Sequence, residues 1–218
     1  MNDAYTPSER SRVRRVHDRG SYDKAALHAV LDAGMLCHVG YVIDGQPYVT
    51  PTFQWREGDE VFFHGSSASR MLRTVKQGQP VCLTVSFLDG LVLARSGFHC
   101  SVNYRSAMLY GTARAVEDEA RKELHLKRFI EGLMPGRWDD MRPPTAQEIK
   151  ATTVCQMAIE EASVKVRTGP LKDDEEDYAL DCWAGVIPIR QVVGAPEPDP
   201  RLAEGIAMPE NVRNWAIT

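Results

Sequence analysis

On either side of Asp44-Gly45, apolar and polar residues alternate, and that period of two predicts a pair of strands. Leu36, Val39, Tyr41 and Val42 mark a strand from Met35 to Ile43, and the return strand runs from Gln46 to Gln54. Asp44-Gly45 suits a two-residue hairpin turn because both central positions favour positive φ. A further turn at Glu57-Gly58-Asp59 leads into Val61-Phe62-Phe63, which extends the pair into a meander. Ahead of these strands the period is 3.6. Leu27, Val30 and Leu31 share a stripe between Asp23, a suitable N-cap, and Gly34, a suitable stop, predicting a helix over about 23–33.

Beyond the meander, Ser66-Ser67-Ala68-Ser69-Arg70 precedes Met71, Leu72 and Val75 at helical spacing, with Gly78 just past the end. That is the pattern of a short capped helix. Val81–Val85 and Leu91–Leu93 flank Asp89-Gly90 and predict a second hairpin of the same turn chemistry. Ala107–Val116 is strand-like in composition. From Glu117 to Met134 the 3.6 period returns, with Leu126, Phe129, Ile130 and Leu133 on one face and Pro135-Gly136 as the stop. Thr145-Ala146-Gln147-Glu148 matches a capping box. Val154 to Arg167 reads as one long strand, with Glu161, Ser163, Lys165 and Arg167 on one face and Val164 and Val166 on the other. An acidic loop from Lys172 to Asp177 and a short strand within Trp183–Ile189 follow.

Many short strands, tight turns and a few interposed helices predict a mainly β fold, an antiparallel barrel closed or nearly closed, because closure removes exposed strand edges. The barrel domain is expected over 23–193, after an N-terminal arm over 1–22. The segment 194–218, rich in Pro, Glu and Asp, is expected to be a C-terminal arm or a disordered tail.

Composition narrows the function classes. A net charge of −4 gives no general attraction to nucleic acid, and the basic cluster Arg10, Arg12, Arg14 and Arg15 reads as a solvated arm. The N-terminus is polar and basic with no apolar run behind it, so neither a signal peptide nor a membrane span is expected, and the cytoplasm is the expected compartment. Five widely spaced cysteines mostly inside apolar stretches fit reduced, buried thiols. With no CxxC and only isolated histidines, no structural metal site is expected.

GxGxxG, P-loop, GxSxG and HExxH signatures are absent. Polar groups set into barrel sequence remain. His64-Gly65-Ser66-Ser67-Ala68-Ser69-Arg70 leaves a strand and opens a helix, so hydroxyls, backbone N–H groups and one guanidinium suit a phosphate dianion. A serine N-cap beside a solvated arginine explains the same residues. Ser101-Val102-Asn103-Tyr104-Arg105-Ser106 groups an aromatic ring, an amide, a guanidinium and hydroxyls, suited either to a ring-bearing anion or to a polar loop around a buried tyrosine. In Tyr48-Val49-Thr50-Pro51-Thr52 a proline inside a strand implies an edge or a bulge, whose unpaired backbone groups can meet a heterocycle, although an ordinary edge strand needs no ligand.

Taken in order, RGSYD, CHVGYVIDGQPYVTPT, FHGSSASRML, DGLVLARSGFH, NYRSAMLYGTA and WAGVIPI resemble the flavin-nucleotide-binding proteins of the pyridoxamine 5'-phosphate oxidase-like family, which includes nitroimidazole-resistance proteins. The resemblance implies a split-barrel homodimer holding FMN at the subunit interface. It implies that His64, Ser66, Ser69 and Arg70 grip the phosphate and that Val49, Thr50, Pro51 and Thr52 line the isoalloxazine. Tyr104, Arg105 and Ser106 contribute nearby, and Trp183 approaches the flavin. Lys165 and Arg167 are further candidates from their shared strand face, with an ion pair to Glu160 or Glu161 as the alternative. A full basic set for a second phosphate is not matched, which counts against vitamin B6 oxidation. The expected function is that of an FMN-dependent oxidoreductase passing electrons from a nicotinamide or similar donor to a small-molecule acceptor. A flavin- or haem-binding protein without turnover, with His64 or His99 as axial ligand, is the alternative, and a deazaflavin is a third cofactor choice.

Overall fold

The computed structural model describes residues 3–215. Nine strands form one sheet: β1 (Gly20–Ser21), β2 (Leu36–Ile43), β3 (Gln46–Glu57), β4 (Glu60–Ser66), β5 (Gln77–Leu93), β6 (Ser101–Ala115), β7 (Thr152–Ala158), β8 (Glu161–Arg167) and β9 (Gly185–Pro188). The order is β1-β8-β6-β7-β4-β3-β2-β5-β9, and an added pairing of β6 with β5 closes the ring. Every ladder is antiparallel. This is the antiparallel barrel expected from the strand and turn pattern, and the split barrel that the family resemblance implies.

Helices plug and flank the barrel: α1 (Lys24–Ala33), α2 (Arg70–Val75), α3 (Glu119–Leu133), α4 (Ala146–Ala151) and α5 (Glu210–Arg213). Leu27 and Leu31 of α1 and Met71, Leu72 and Val75 of α2 join Val39, Phe63, Leu83, Val85, Leu109, Met157 and Val164 in the main core. Burying each such side chain contributes about 1.5–3 kcal/mol. Outside the barrel, α3 covers Phe62, Val116 and Val154, with Trp55 and Leu126 against them. Local chemistry sets the helix starts. Asp23 accepts from Ala26 N, Ser69 from Leu72 N, and Thr145 and Glu148 form the reciprocal capping box.

The Asp44-Gly45 hairpin forms with both residues at positive φ, 50° and 78°. At Asp89-Gly90, however, no turn occurs. β5 runs unbroken for 17 residues with a register shift between Leu88 and Gly90. Its partner β6 supplies ladder bonds on both sides of the shift, so the pair bulges there. Asp89 instead takes Arg105 as a bidentate partner. The long strand expected over 154–167 is two strands broken at Ile159-Glu160, where Ile159 N bonds Asp59 O and Glu160 N bonds Tyr110 O. Residues 101–106 lie within β6 rather than between strands.

The terminal segments are tied to the barrel. Gly20 and Ser21 pair with Lys165 and Val164, and Arg10 bonds Glu161 while its guanidinium lies over the Tyr110 ring. After the acidic loop and β9, α5 docks on α3 through Asn211 Nδ2 to Pro135 O at 2.8 Å and Trp215 Nε1 to Leu133 O. All five cysteines are free, but only Cys37 and Cys155 are buried; Cys100 and Cys182 are exposed, which corrects the buried reading for those two. Among the described residues no helix is long and apolar enough to cross a membrane.

Candidate functional site

β3 pairs with β2 along Gln46–Phe53 but with β4 only along Gln54–Glu57. Its first half therefore has one unpaired side, as the proline at position 51 requires, although β3 is an interior strand of the sheet order. Val49 is two-thirds exposed, Pro51 is exposed, and Thr50 and Thr52 are half-buried. The Thr50 hydroxyl meets Tyr41 Oη at 3.2 Å, and Thr52 Oγ1 reaches His64 O at 3.5 Å. Arg70 lies over the Tyr48 ring at 4.5 Å, exposed and with no carboxylate partner among the described residues. The structure thus brings Val49–Thr52 together with His64–Arg70.

Several N–H groups of the 66–70 turn are already used. Ser67 N donates to Ala151 O, Ala68 N to Ser66 Oγ and Ser69 N to Ser66 O. What the turn offers an anion is chiefly the Arg70 guanidinium with the Ser66 and Ser67 hydroxyls.

Tyr104, Arg105 and Ser106 on β6, with Lys165 opposite Ser106 on β8, lie away from that turn, as does Trp183 ahead of β9. α2 leads into the start of β5, whereas β9, which follows Trp183, pairs with Leu93 at its end. Arg105 is already neutralised, with Nε and Nη2 each 2.9 Å from an Asp89 oxygen and its guanidinium over Phe87. Ser106 Oγ donates to Lys165 O, and Lys165 Nζ to Arg15 O at 3.1 Å. Neither Lys165 nor Arg167 pairs with Glu160 or Glu161, which lie four or more positions away along the chain and meet Arg10 instead. Trp183 is 69% exposed. One protomer does not gather the two groups around one ligand.

His64 has the most distinctive surroundings. It leaves β4 on the outer face, with its ring 4.7 Å from Phe129 and 5.7 Å from Trp55. Phe53, 45% exposed, meets Phe129 at 6.0 Å and continues the aromatic surface outward. Among the described residues, buried Nδ1 of His64 has no hydrogen-bond partner, and burial lowers its pKa, which favours the neutral, ligating form. Beside Trp55 and Phe129 lies a cavity of about 210 Å³, next to a crevice of about 560 Å³ between α1, α3 and the docked tail. His99, by contrast, has Nε2 3.2 Å from Asp174 Oδ2. His99, Asp174 and Asp177 bring ligand atoms within 4.8 Å of one another, a grouping no sequence spacing suggested.

The aromatic wall of Trp55 and Phe129 was missed in the sequence because both residues fit ordinary core patterns. The Asp89 partner of Arg105 was missed because Asp89-Gly90 reads as a turn.

The chain as a whole is similar to solved proteins. The flavocytochrome Anf3 from Azotobacter vinelandii is 53% identical, with a TM-score of 0.91, over 95% of this chain and 97% of that one. A protein from Mycobacterium smegmatis described as an FAD and heme binding protein is 35% identical, with a TM-score of 0.86, over 91% of this chain and 98% of that one. No curated protein sequence matches the chain. The family model for pyridoxamine 5'-phosphate oxidase matches residues 23–166, and the chain belongs to that family.

Proposed function

We propose that this protein binds both a flavin and a haem and acts in electron transfer between them, as a homodimer. The carrying observation is His64, whose buried Nδ1 has no partner among the described residues while its ring stands in an aromatic wall open toward exposed Phe53. A buried imidazole nitrogen normally finds a hydrogen bond, and a neutral imidazole beside apolar rings suits axial coordination of a haem iron. The same comparison favours His64 over His99, which Asp174 already engages. This reading promotes the haem alternative to a principal role.

Arg70, Ser66 and Ser67 would hold the flavin phosphate, and the unpaired side of β3 at Val49–Thr52 would face its ring. Both FMN and FAD carry that phosphate, so FMN remains compatible with the turn; the likeness to an FAD and heme binding protein favours FAD. When bound, a flavin accepts hydride from a donor such as a nicotinamide and passes on single electrons, which a haem iron can take one at a time. This chain's residues hold and orient the groups and exclude water, and no side chain is assigned a proton-transfer role. The separation of Val49–Thr52 and Arg70 from Tyr104–Ser106 and Trp183, which a second copy would bring to one ligand, supports the homodimer. Exposed Leu36, Val42, Val49 and Phe53 on one face of the β2–β3 pair support it as well.

The visible spectrum of purified protein, reconstituted with FAD and haem, tests the reading. Flavin absorbance together with a Soret band, the latter absent from His64→Ala with flavin retained, is the expected result. Failure to take up haem would leave only the flavin part, and an unchanged Soret band in His64→Ala would remove His64 from the role.

A further inference from the structure

Away from His64 and Arg70, a polar cleft of about 300 Å³ opens where the N-terminal arm crosses the ends of β6 and β8. Its cationic lining comes from three separate segments: Arg19 before β1, Arg167 at the end of β8, and Lys172 in the following loop. Ser101 and Thr168 add hydroxyls. Asp18 is the acid in the wall, and His99 lines the cleft with Nε2 turned to Asp174.

Arg167 is the unusual member. It is 8% exposed and pairs with no carboxylate among the described residues. Its Nη1 donates to Asn103 Oδ1 and its Nη2 to Pro170 O at 3.3 Å. Asn103, also buried, holds the same loop by donating to Gly169 O at 3.0 Å. These neutral acceptors fix the guanidinium in place without cancelling its charge. They engage two of its N–H donors, where a guanidinium has five. A buried cation is costly unless an anion compensates it. Burial and the nearby charge of Arg19 both disfavour the protonated form, which makes a missing counter-charge more telling.

We infer that this cleft binds a phosphate-bearing group, with Arg167 as the fixed bidentate donor and Arg19 and Lys172 as flanking cations. Planar, pre-positioned guanidinium is the side chain best matched to two phosphate oxygens, and a lysine on an exposed loop adds an adaptable point charge. Three cations against one lining aspartate suit a dianion or a diphosphate better than a carboxylate. A diphosphate occurs in a flavin dinucleotide and in a nicotinamide dinucleotide donor. The cleft uses none of the residues assigned to the flavin and haem; only the two arms that identify the dinucleotide rest on that reading. No motif announced the site, because its cations lie at positions 19, 167 and 172 and meet only when β1 pairs with β8.

Inorganic pyrophosphate titrated into the full-length protein at low ionic strength, read by calorimetry, is the first probe. We expect saturable binding that weakens at least tenfold in Arg167→Gln and severalfold in Lys172→Gln and Arg19→Gln. The same losses should appear in an Arg70→Ala background, which removes the serine-turn anion site. Lys172 is exposed and Arg19 only half-buried, so their variants keep the test alive if Arg167→Gln fails to fold. Absence of binding in the Arg70→Ala background, or binding there that Lys172→Gln and Arg19→Gln leave intact, would overturn the inference. Two further arms identify the source. A loss of affinity for FAD but not FMN in Lys172→Gln assigns the flavin dinucleotide. A raised KM for a nicotinamide donor with flavin content unchanged assigns the donor.

Discussion

The His64 ring lies 4.7 Å from the Phe129 ring, so an outward-facing strand residue of the barrel is walled by a helix that crosses it. α3 supplies that wall, and Trp55 on β3 completes it. The relationship ties the proposed ligand to a packing contact, and the two are separable. Phe129→Ala opens the wall and should cost about 3–5 kcal/mol of stability as a large-to-small core change. Phe129→Leu keeps most of the volume and should cost less. We expect haem affinity to fall in both while the flavin content of Phe129→Leu stays at the wild-type level. Equal loss of haem and flavin in Phe129→Leu would point to global damage instead.

Arg70→Ala removes the exposed cation of the serine turn and its contact with the Tyr48 ring. Charge-assisted bonds to phosphate are about twice as strong as neutral ones, so flavin affinity should fall at least tenfold, measured by fluorescence titration of apoprotein. Riboflavin, which lacks the phosphate, should bind wild type and variant alike. A riboflavin affinity that drops as much as the FMN affinity would show that Arg70 serves the ring or the fold.

The barrel was legible in sequence where local chemistry and ladder pairing agree, and illegible where they compete. Asp44-Gly45 sits where the β2–β3 ladder ends and turns; Asp89-Gly90 has the same letters but lies opposite a continuous partner, and the ladder wins. Ile159-Glu160 shows the reverse, since an alternating run gave no sign that Asp59 and Tyr110 would capture its backbone. Single residues of the candidate site were legible as unusual letters in barrel sequence. What each touches was not, because His64 meets Phe129, and Arg167 meets Asn103, across more than sixty positions.

Gly111 lies where β6 crosses β7, and a Cβ there would overlap Ala158 O and the Met157 side chain. Backbone cannot move aside as a flexible side chain can. Gly111→Ala should therefore destabilise by about 1–3 kcal/mol, as overpacking does, read as a lower denaturation midpoint with an unchanged slope. Gly132→Ala, where nothing lies within 4 Å, is the matched control and should be neutral or slightly stabilising in its helix.

Exposed Leu36, Val42, Val49 and Phe53 share one face of the β2–β3 pair. If a second copy covers them, Val49→Arg should shift the protein to a monomer in sedimentation while leaving its circular dichroism unchanged. Flavin binding should fall with it, because half of the ligand's contacts would come from the partner. A Val49→Arg protein of unchanged assembly state would remove this face as the interface.

Glu57 gathers His125 Nδ1 at 2.9 Å, Trp55 Nε1 at 3.0 Å and the Arg128 guanidinium, and so anchors α3 to the β3–β4 turn. Burial acts to raise its pKa, but the bonds from His125, Trp55 and Arg128 outweigh it and hold the carboxyl below its ordinary value. A depressed folded pKa means that the unfolded chain takes up the proton first as pH falls. The stabilisation is therefore complete above the unfolded carboxyl range and is lost as pH drops through the lower folded value. Glu57→Gln keeps the shape and removes the charge, so it should destabilise by about 1–3 kcal/mol at neutral pH. The gap between variant and wild type should close as both are moved to acid. A gap that stays constant down to pH values below the carboxyl range would show that the charge of Glu57 contributes nothing and that its packing carries the effect.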